Sequence, residues 1–282
     1  APNVLSELIR AAFVAAPGSR FLVADFSAIE ARVIAWLAGE QWVLDLFKNG
    51  GDIYCETGTR MFGQEVKKHS PLRQRAKVAV LACGYQGGVG ALKAMGGEKL
   101  GLGEDEMASI VEAWRKANPR IAQMWWDVNR AALEAIKNGT SQMVGRIKVY
   151  QKLGALVIAL PSGRELIYPS PRVGENRFGG ESITFMGLGL NRKWGRIETY
   201  GGKLVENIVQ ATARDVLAHS MATLEAAGYP TVMHVHDELI TEVPYGRGSV
   251  DELCSLMSRG PKWSKGLPLA AEGFESTYYK KG

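Results

Sequence analysis

The sequence predicts an α+β fold, a small antiparallel sheet with flanking helices and a mainly helical stretch inserted between its strands. Three observations lead there. Phe21-Leu22-Val23-Ala24 is a run of four apolar residues ending on Asp25, the pattern of a buried strand that delivers a carboxylate. Val232 to Val243 holds two β-rich runs that meet at His236-Asp237-Glu238, the shape of a tight hairpin with acids at its tip. From Glu40 to about Gly145 the pattern is helical, broken at Asn49-Gly50-Gly51, Gly63, Gly84 to Gly90, Gly96-Gly97 and Asn118-Pro119.

Taken in order, residues 1 to 20 read as a short amphipathic helix around Leu5, Leu8, Ile9 and Phe13, closed by Pro17-Gly18. After the first strand, Ser27 and Glu30 match a capping box. Ile29, Val33, Trp36 and Leu37 then form one apolar stripe of a helix stopped near Gly39. Ser70 as cap and Pro71 at the first helical position start a helix with Arg73 and Lys77 four apart on one face, which Leu81 and Tyr85 continue. Like charges at that spacing cost about a few tenths of a kcal/mol, a penalty a bound anion reverses. Ile147 to Tyr150, Ala155 to Leu160 and Glu165 to Tyr168 are strands joined by Pro161-Ser162-Gly163. Val173 to Gly202 is Gly-rich and reads as loop with some strand. Lys203 to Ala227 is a long helix with Leu204, Ile208, Ala211, Leu217, Met221 and Leu224 on its apolar face, ended by Gly228. Val250 to Met257 is helical and Leu269 to Tyr278 adds a last strand.

Composition narrows the class without naming a function. A chain of 282 residues buries enough surface for a proper core, and 46% hydrophobic with 22% charged residues is a globular balance. No apolar run reaches about 18 residues and the N-terminus has no signal-peptide layout, so neither membrane span nor secretion is expected. Cys55, Cys83 and Cys254 are widely separated, odd in number and lack metal-ligand spacing, which suits a reducing cytoplasm. A net charge of +5, with Lys67, Lys68, His69, Arg73, Arg75 and Lys77 packed together, suits a polyanionic partner.

A lone acid after a strand is usually a turn residue; two strands each ending on one suggest a shared metal site. The segments around Asp25, Arg73 to Tyr85 and His236 to Glu238 resemble motifs A, B and C of the family A DNA polymerases, the DNA polymerase I group, in the family's order and in wording nearest its phage members. The resemblance runs from about residue 4 to the C-terminus. It implies a right-hand palm in residues 1–40 and 146–282, with mainly helical fingers in 41–145. The thumb and any proofreading exonuclease, upstream in the family, would then be absent from this chain, which would be a fragment, a subunit that takes either from a separate chain, or a minimal enzyme.

The same resemblance assigns roles. Asp25 and Asp237 would hold two Mg²⁺, for which Mn²⁺ can substitute, with the Phe26 carbonyl as a third ligand, Glu238 as an auxiliary catalytic acid and His236 beside the primer terminus. The chemistry agrees, since phosphoryl transfer asks mainly for positioning and charge stabilisation, and Mg²⁺ needs only a few hard oxygens beyond water and substrate phosphates. Arg73 and Lys77 would grip the triphosphate of a deoxynucleotide, Tyr85 would close the base pocket, and Leu81 would lie at the sugar. Glu30 would block a ribose 2′-hydroxyl. Gln210 would read the minor groove of primer-template DNA with Arg214 four residues on, and the basic stretch Arg192, Lys193, Trp194 and Arg196 is a further candidate for DNA contact.

Three positions depart from the family pattern: Leu81 stands where many relatives carry Phe or Tyr, Gln86 where Gly commonly follows the motif B Tyr, and Tyr54 where bacterial enzymes commonly have His. A zinc site on His234 and His236 lacks further ligands with helpful spacing, and the glycines from Gly84 to Gly90 follow a helix rather than the strand a dinucleotide loop needs. The expected function is template-directed DNA synthesis with no membrane partner, in the cytoplasm of a bacterium or phage-infected cell. A non-catalytic DNA-binding subunit and a metal-dependent nuclease are the alternatives.

Overall fold

The computed structural model describes residues 9–176, 179–189 and 192–280. The chain forms two compact units, residues 1–30 with 212–282, and residues 31–211. In chain order the elements are strand β1 (Ser19–Phe26), helices α1 (Ile29–Ala38), α2 (Gln41–Lys48), α3 (Ile53–Phe62), α4 (Pro71–Cys83), α5 (Val89–Ala94), α6 (Glu104–Ala117) and α7 (Pro119–Asn138). Strands β2 (Gln142–Val144), β3 (Ile147–Lys152), β4 (Ala155–Ala159), β5 (Glu165–Pro169), β6 (Arg172–Glu175), β7 (Glu181–Leu188) and β8 (Trp194–Thr199) follow. Helix α8 (Gly201–Ala226), strands β9 (Thr231–Val235) and β10 (Glu238–Pro244), helix α9 (Val250–Met257) and strand β11 (Ala271–Ser276) complete the chain.

The first unit is built on a four-stranded antiparallel sheet ordered β11-β1-β10-β9. Strand β1 is central, and Phe21 to Ala24 are all buried, as a strand covered on both faces requires. Phe21, Val23, Ile240 and Tyr279 form a core cluster, against which Ala15, Met233, Val235 and Phe274 pack. Thr241 is polar and fully buried, and its hydroxyl donates to the Leu22 carbonyl at 3.1 Å, so the sheet centre carries no unpaired group there. Ser249 caps α9 by accepting from the Glu252 amide.

The second unit carries helices α2 to α7 and two antiparallel sheets, ordered β2-β3-β4-β5 and β6-β7-β8. The glycine and proline punctuation falls at the helix ends: Gly63 and Gly139 close α3 and α7 in the left-handed region, and Pro119 opens α7. Glu40 is buried, and its carboxylate accepts from the Arg120 and Ile121 amides at 2.8 and 3.4 Å, supplying the anion that the N-terminus of α7 favours. Burial raises the Glu40 pKa despite those donors. Trp114 and Trp125 stack with ring centroids 5.9 Å apart where α6 meets α7.

Three expectations need correction. The expected N-terminal helix ends by Ala11, and Ile9 and Phe13 are exposed rather than packed; Leu5 and Leu8 lie outside the described residues. Helix α1 begins at Ile29, after Ala28 at φ +51, so Glu30 is the second residue of the helix. The stretch from Val173 to Gly202 is mostly sheet, since β7 pairs with β6 on one side and β8 on the other along most of its length. Strand β2 was not anticipated at all.

Candidate active site

Strand β1 ends beside the turn joining β9 to β10, and this places the acids. Asp25 is the cross-strand partner of Glu238 on β10, and of Glu272 on β11. His236 and Asp237 form the two-residue connection from Val235 to Glu238; His236 takes φ +54, and the Phe26 amide donates to the Asp237 carbonyl at 3.3 Å. Asp25 has its pKa raised to about 6. Partial burial is the largest cause, followed by the negative charges of Asp237 and Glu238 and a hydrogen bond shared with Asp237, against a weaker opposing bond from the Phe26 backbone.

Two carboxylates that repel one another with only hard oxygen donors suit a divalent cation, which would relieve the repulsion that helps raise the Asp25 pKa. Among the described residues no group of three or more His, Cys, Asp or Glu is arranged as a complete metal cage. A Mg²⁺ site that takes waters and substrate phosphates beside two carboxylates requires no such cage. Glu238 is oriented separately, with the Tyr279 hydroxyl donating to its Oε1 at 2.6 Å. Burial, then that hydrogen bond, push the Tyr279 pKa up to about 12.

Arg214 on α8 lies against His234, its Nη1 and Nη2 each 3.3 Å from a ring nitrogen. Gln210, one helical turn earlier, is exposed, so the polar face read from the sequence is solvent-facing at both positions. His236 is exposed in its turn.

In the second unit, Ser70 accepts from the Leu72 amide at 3.2 Å and Pro71 starts α4, whose Ala76, Val78, Ala79, Ala82 and Cys83 are buried. Arg73 and Lys77 come together over one aromatic ring, 5.1 and 5.7 Å from the centroid of Tyr54. Arg73 also makes an ion pair that the sequence did not reveal, its Nε and Nη2 donating to Asp52 Oδ2 at 3.0 and 2.7 Å. Arg75, in the same basic run, pairs with Glu106. Leu81 continues the Arg73 face and is 48% exposed.

Gln86, the residue in place of the family's usual Gly, explains that glycine. It sits at φ +66, a backbone conformation Gly adopts without cost, and its Oε1 accepts from the Gly202 amide at 2.9 Å in the first turn of α8. Residue 202 must itself lack a side chain, because a Cβ there would come 2.4 Å from the Tyr85 carbonyl. The Trp125 indole donates to the Gly84 carbonyl at 2.9 Å, so both ends of the Gly84-Tyr85-Gln86 segment are pinned.

The sequence reading missed Tyr279, Asp52 and Glu272. Asp52 alone carried a signal, since an Asp just before a helical run is a cap candidate.

Comparison with known proteins bears on the whole chain. The family described as DNA polymerase family A matches residues 3–269. A DNA polymerase of Bacillus phage SP02 is 51% identical over 99% of this chain and 44% of its own length. The thermostable DNA polymerase I of Thermus thermophilus is 27% identical over 95% of this chain and 28% of its own. The chain therefore spans less than half the length of these relatives. Among solved structures, the POL domain of Pol1 from M. smegmatis, in complex with DNA primer-template and dNTP, superposes with a TM-score of 0.68 at 20% identity, covering 96% of this chain and 42% of that one, a likeness of fold.

Proposed function

The chain belongs to DNA polymerase family A, and we propose that it carries the palm and fingers of a template-directed polymerase that adds deoxynucleotides to a primer 3′-hydroxyl. The observation that supports this most is the pairing of β1 with β10, which sets Asp25, Asp237 and Glu238 at one end of one sheet. On this reading the palm is 1–40 with 146–282 and the fingers are 41–145.

Asp25 and Asp237 would hold two Mg²⁺, with the Phe26 carbonyl as a third donor; when bound, the ions supply activation of the primer hydroxyl and stabilisation of the leaving pyrophosphate. The Tyr279 hydroxyl holds Glu238 by its hydrogen bond. Arg73 and Lys77 present cationic donors to the triphosphate, Tyr85 and Leu81 line the base and sugar side, and Glu30 excludes a 2′-hydroxyl. Gln210, Arg214 and His236 face primer-template DNA. The setting is the cytoplasm of a bacterium or phage-infected cell. Among the described residues no helix is long and apolar enough to cross a membrane.

Offering a primed template one deoxynucleotide at a time tests the reading. Addition of only the complementary nucleotide is expected. Release of nucleotides from DNA ends would favour a nuclease, and DNA binding with neither reaction a non-catalytic subunit.

A further inference from the structure

Asp52 uses its two oxygens for two different purposes. Its Oδ1 accepts from the Tyr54 and Cys55 amides at 2.9 and 3.1 Å and caps α3, which any Ser or Asn would do equally well. Its Oδ2 accepts both contacts from Arg73, a residue 21 positions away on α4. The second contact is not needed to join the two helices: a Cβ on Gly58 of α3 would lie only 3.2 Å from that of Ala76 on α4, so these helices already pack backbone-close.

Arg73 and Lys77, like charges one turn apart, are also gathered over the Tyr54 ring two residues beyond Asp52. Both side chains of the Asp52–Arg73 pair are mostly covered, 28% and 24% exposed, so the pair is held more firmly than an open surface bridge. Arg73 and the amides of Cys55 and Tyr54 hold the Asp52 carboxyl below its ordinary pKa, although burial acts the other way.

We propose that Asp52 is a positioning residue for the incoming nucleotide: with the Tyr54 ring, it fixes the Arg73 guanidinium in advance so that its remaining donors meet the triphosphate. A guanidinium has five N–H donors, and Asp52 engages only two groups along one edge, with the Cys55 thiol a weak additional acceptor. Arg carries large rotamer entropy, and freezing it before binding removes that cost from the association step. Tyr54, at a position where bacterial members commonly have a histidine, thus acts as the floor on which both cations rest. This inference rests on the triphosphate-binding reading of Arg73.

The test is steady-state primer extension by the full chain with Asp52→Asn and Asp52→Ser, each of which keeps a cap acceptor and loses the second carboxylate oxygen. The KM for deoxynucleotide should rise about three- to tenfold with kcat held within about twofold, the cost of ordering one long side chain on binding. Combined with Arg73→Ala, either substitution should add nothing further. Unchanged or lowered KM, a parallel loss of kcat and thermal stability, or additivity with Arg73→Ala would overturn the role of Asp52. A KM untouched by Arg73→Ala alone would overturn the triphosphate reading itself, and this role with it.

Discussion

Asp25 on β1 and Glu238 on β10 are direct cross-strand partners, and Asp237 precedes Glu238 at the turn, so the charges of Asp237 and Glu238 both act on Asp25. Partial burial, with their mutual repulsion added to it, raises Asp25 from 3.8 to about 6. Because the folded value lies above the ordinary one, the stabilisation from protonated Asp25 is fully present below about pH 3.8 and is lost as pH rises through about 6. Without divalent metal, Asp25→Asn should melt higher than the unaltered protein at about pH 8 and match it near about pH 4. Added Mg²⁺ should raise the melting point of the unaltered protein alone. Melting curves against pH in chelator check this; an unaltered protein as stable as the variant at the higher pH contradicts it.

Glu30 is exposed at the second position of α1, where a carboxylate gains about 0.3–1 kcal/mol from the helix N-terminus. Glu30→Ala should therefore melt within a few degrees of the unaltered protein while raising the ribonucleotide-to-deoxynucleotide incorporation ratio at least about tenfold. A large loss of stability with an unchanged ratio would assign the residue a purely structural role.

Gly202 and Gln86 make opposite predictions at one contact. Gly202→Ala forces a Cβ to 2.4 Å from the Tyr85 carbonyl, an overpacking cost of about 1–3 kcal/mol. Gln86→Gly loses the bond to the Gly202 amide, worth about 1 kcal/mol, and gains about as much by relieving the left-handed φ at residue 86. Denaturant midpoints should thus fall sharply for the first and barely move for the second.

Much of this was legible in the sequence because the signals were local. The apolar run ending on Asp25, the glycines that stop α1, α3 and α7, and the Ser70-Pro71 start of α4 each act within a turn of their own position. Interactions fixed by the tertiary fold were hidden. Tyr279 reaches Glu238 across 41 residues, and Arg73 reaches Asp52 across 21, with no periodicity to mark either partner. The left-handed conformation of Ala28, just before α1, is likewise not forecast by composition. Strands β7 and β8 hid among glycines and arginines, and β7 lacks apolar–polar alternation, with Phe185 and Met186 adjacent in it.

The most direct measurement of the central claim is extension of a labelled primer on a template with Mg²⁺ and four deoxynucleotides, comparing the unaltered protein with Asp25→Ala and Asp237→Ala. Extension that falls at least about a thousandfold in each variant, with primer-template binding retained, is the predicted result. Extension persisting in either variant would contradict a two-carboxylate metal site at the junction of β1 and β10.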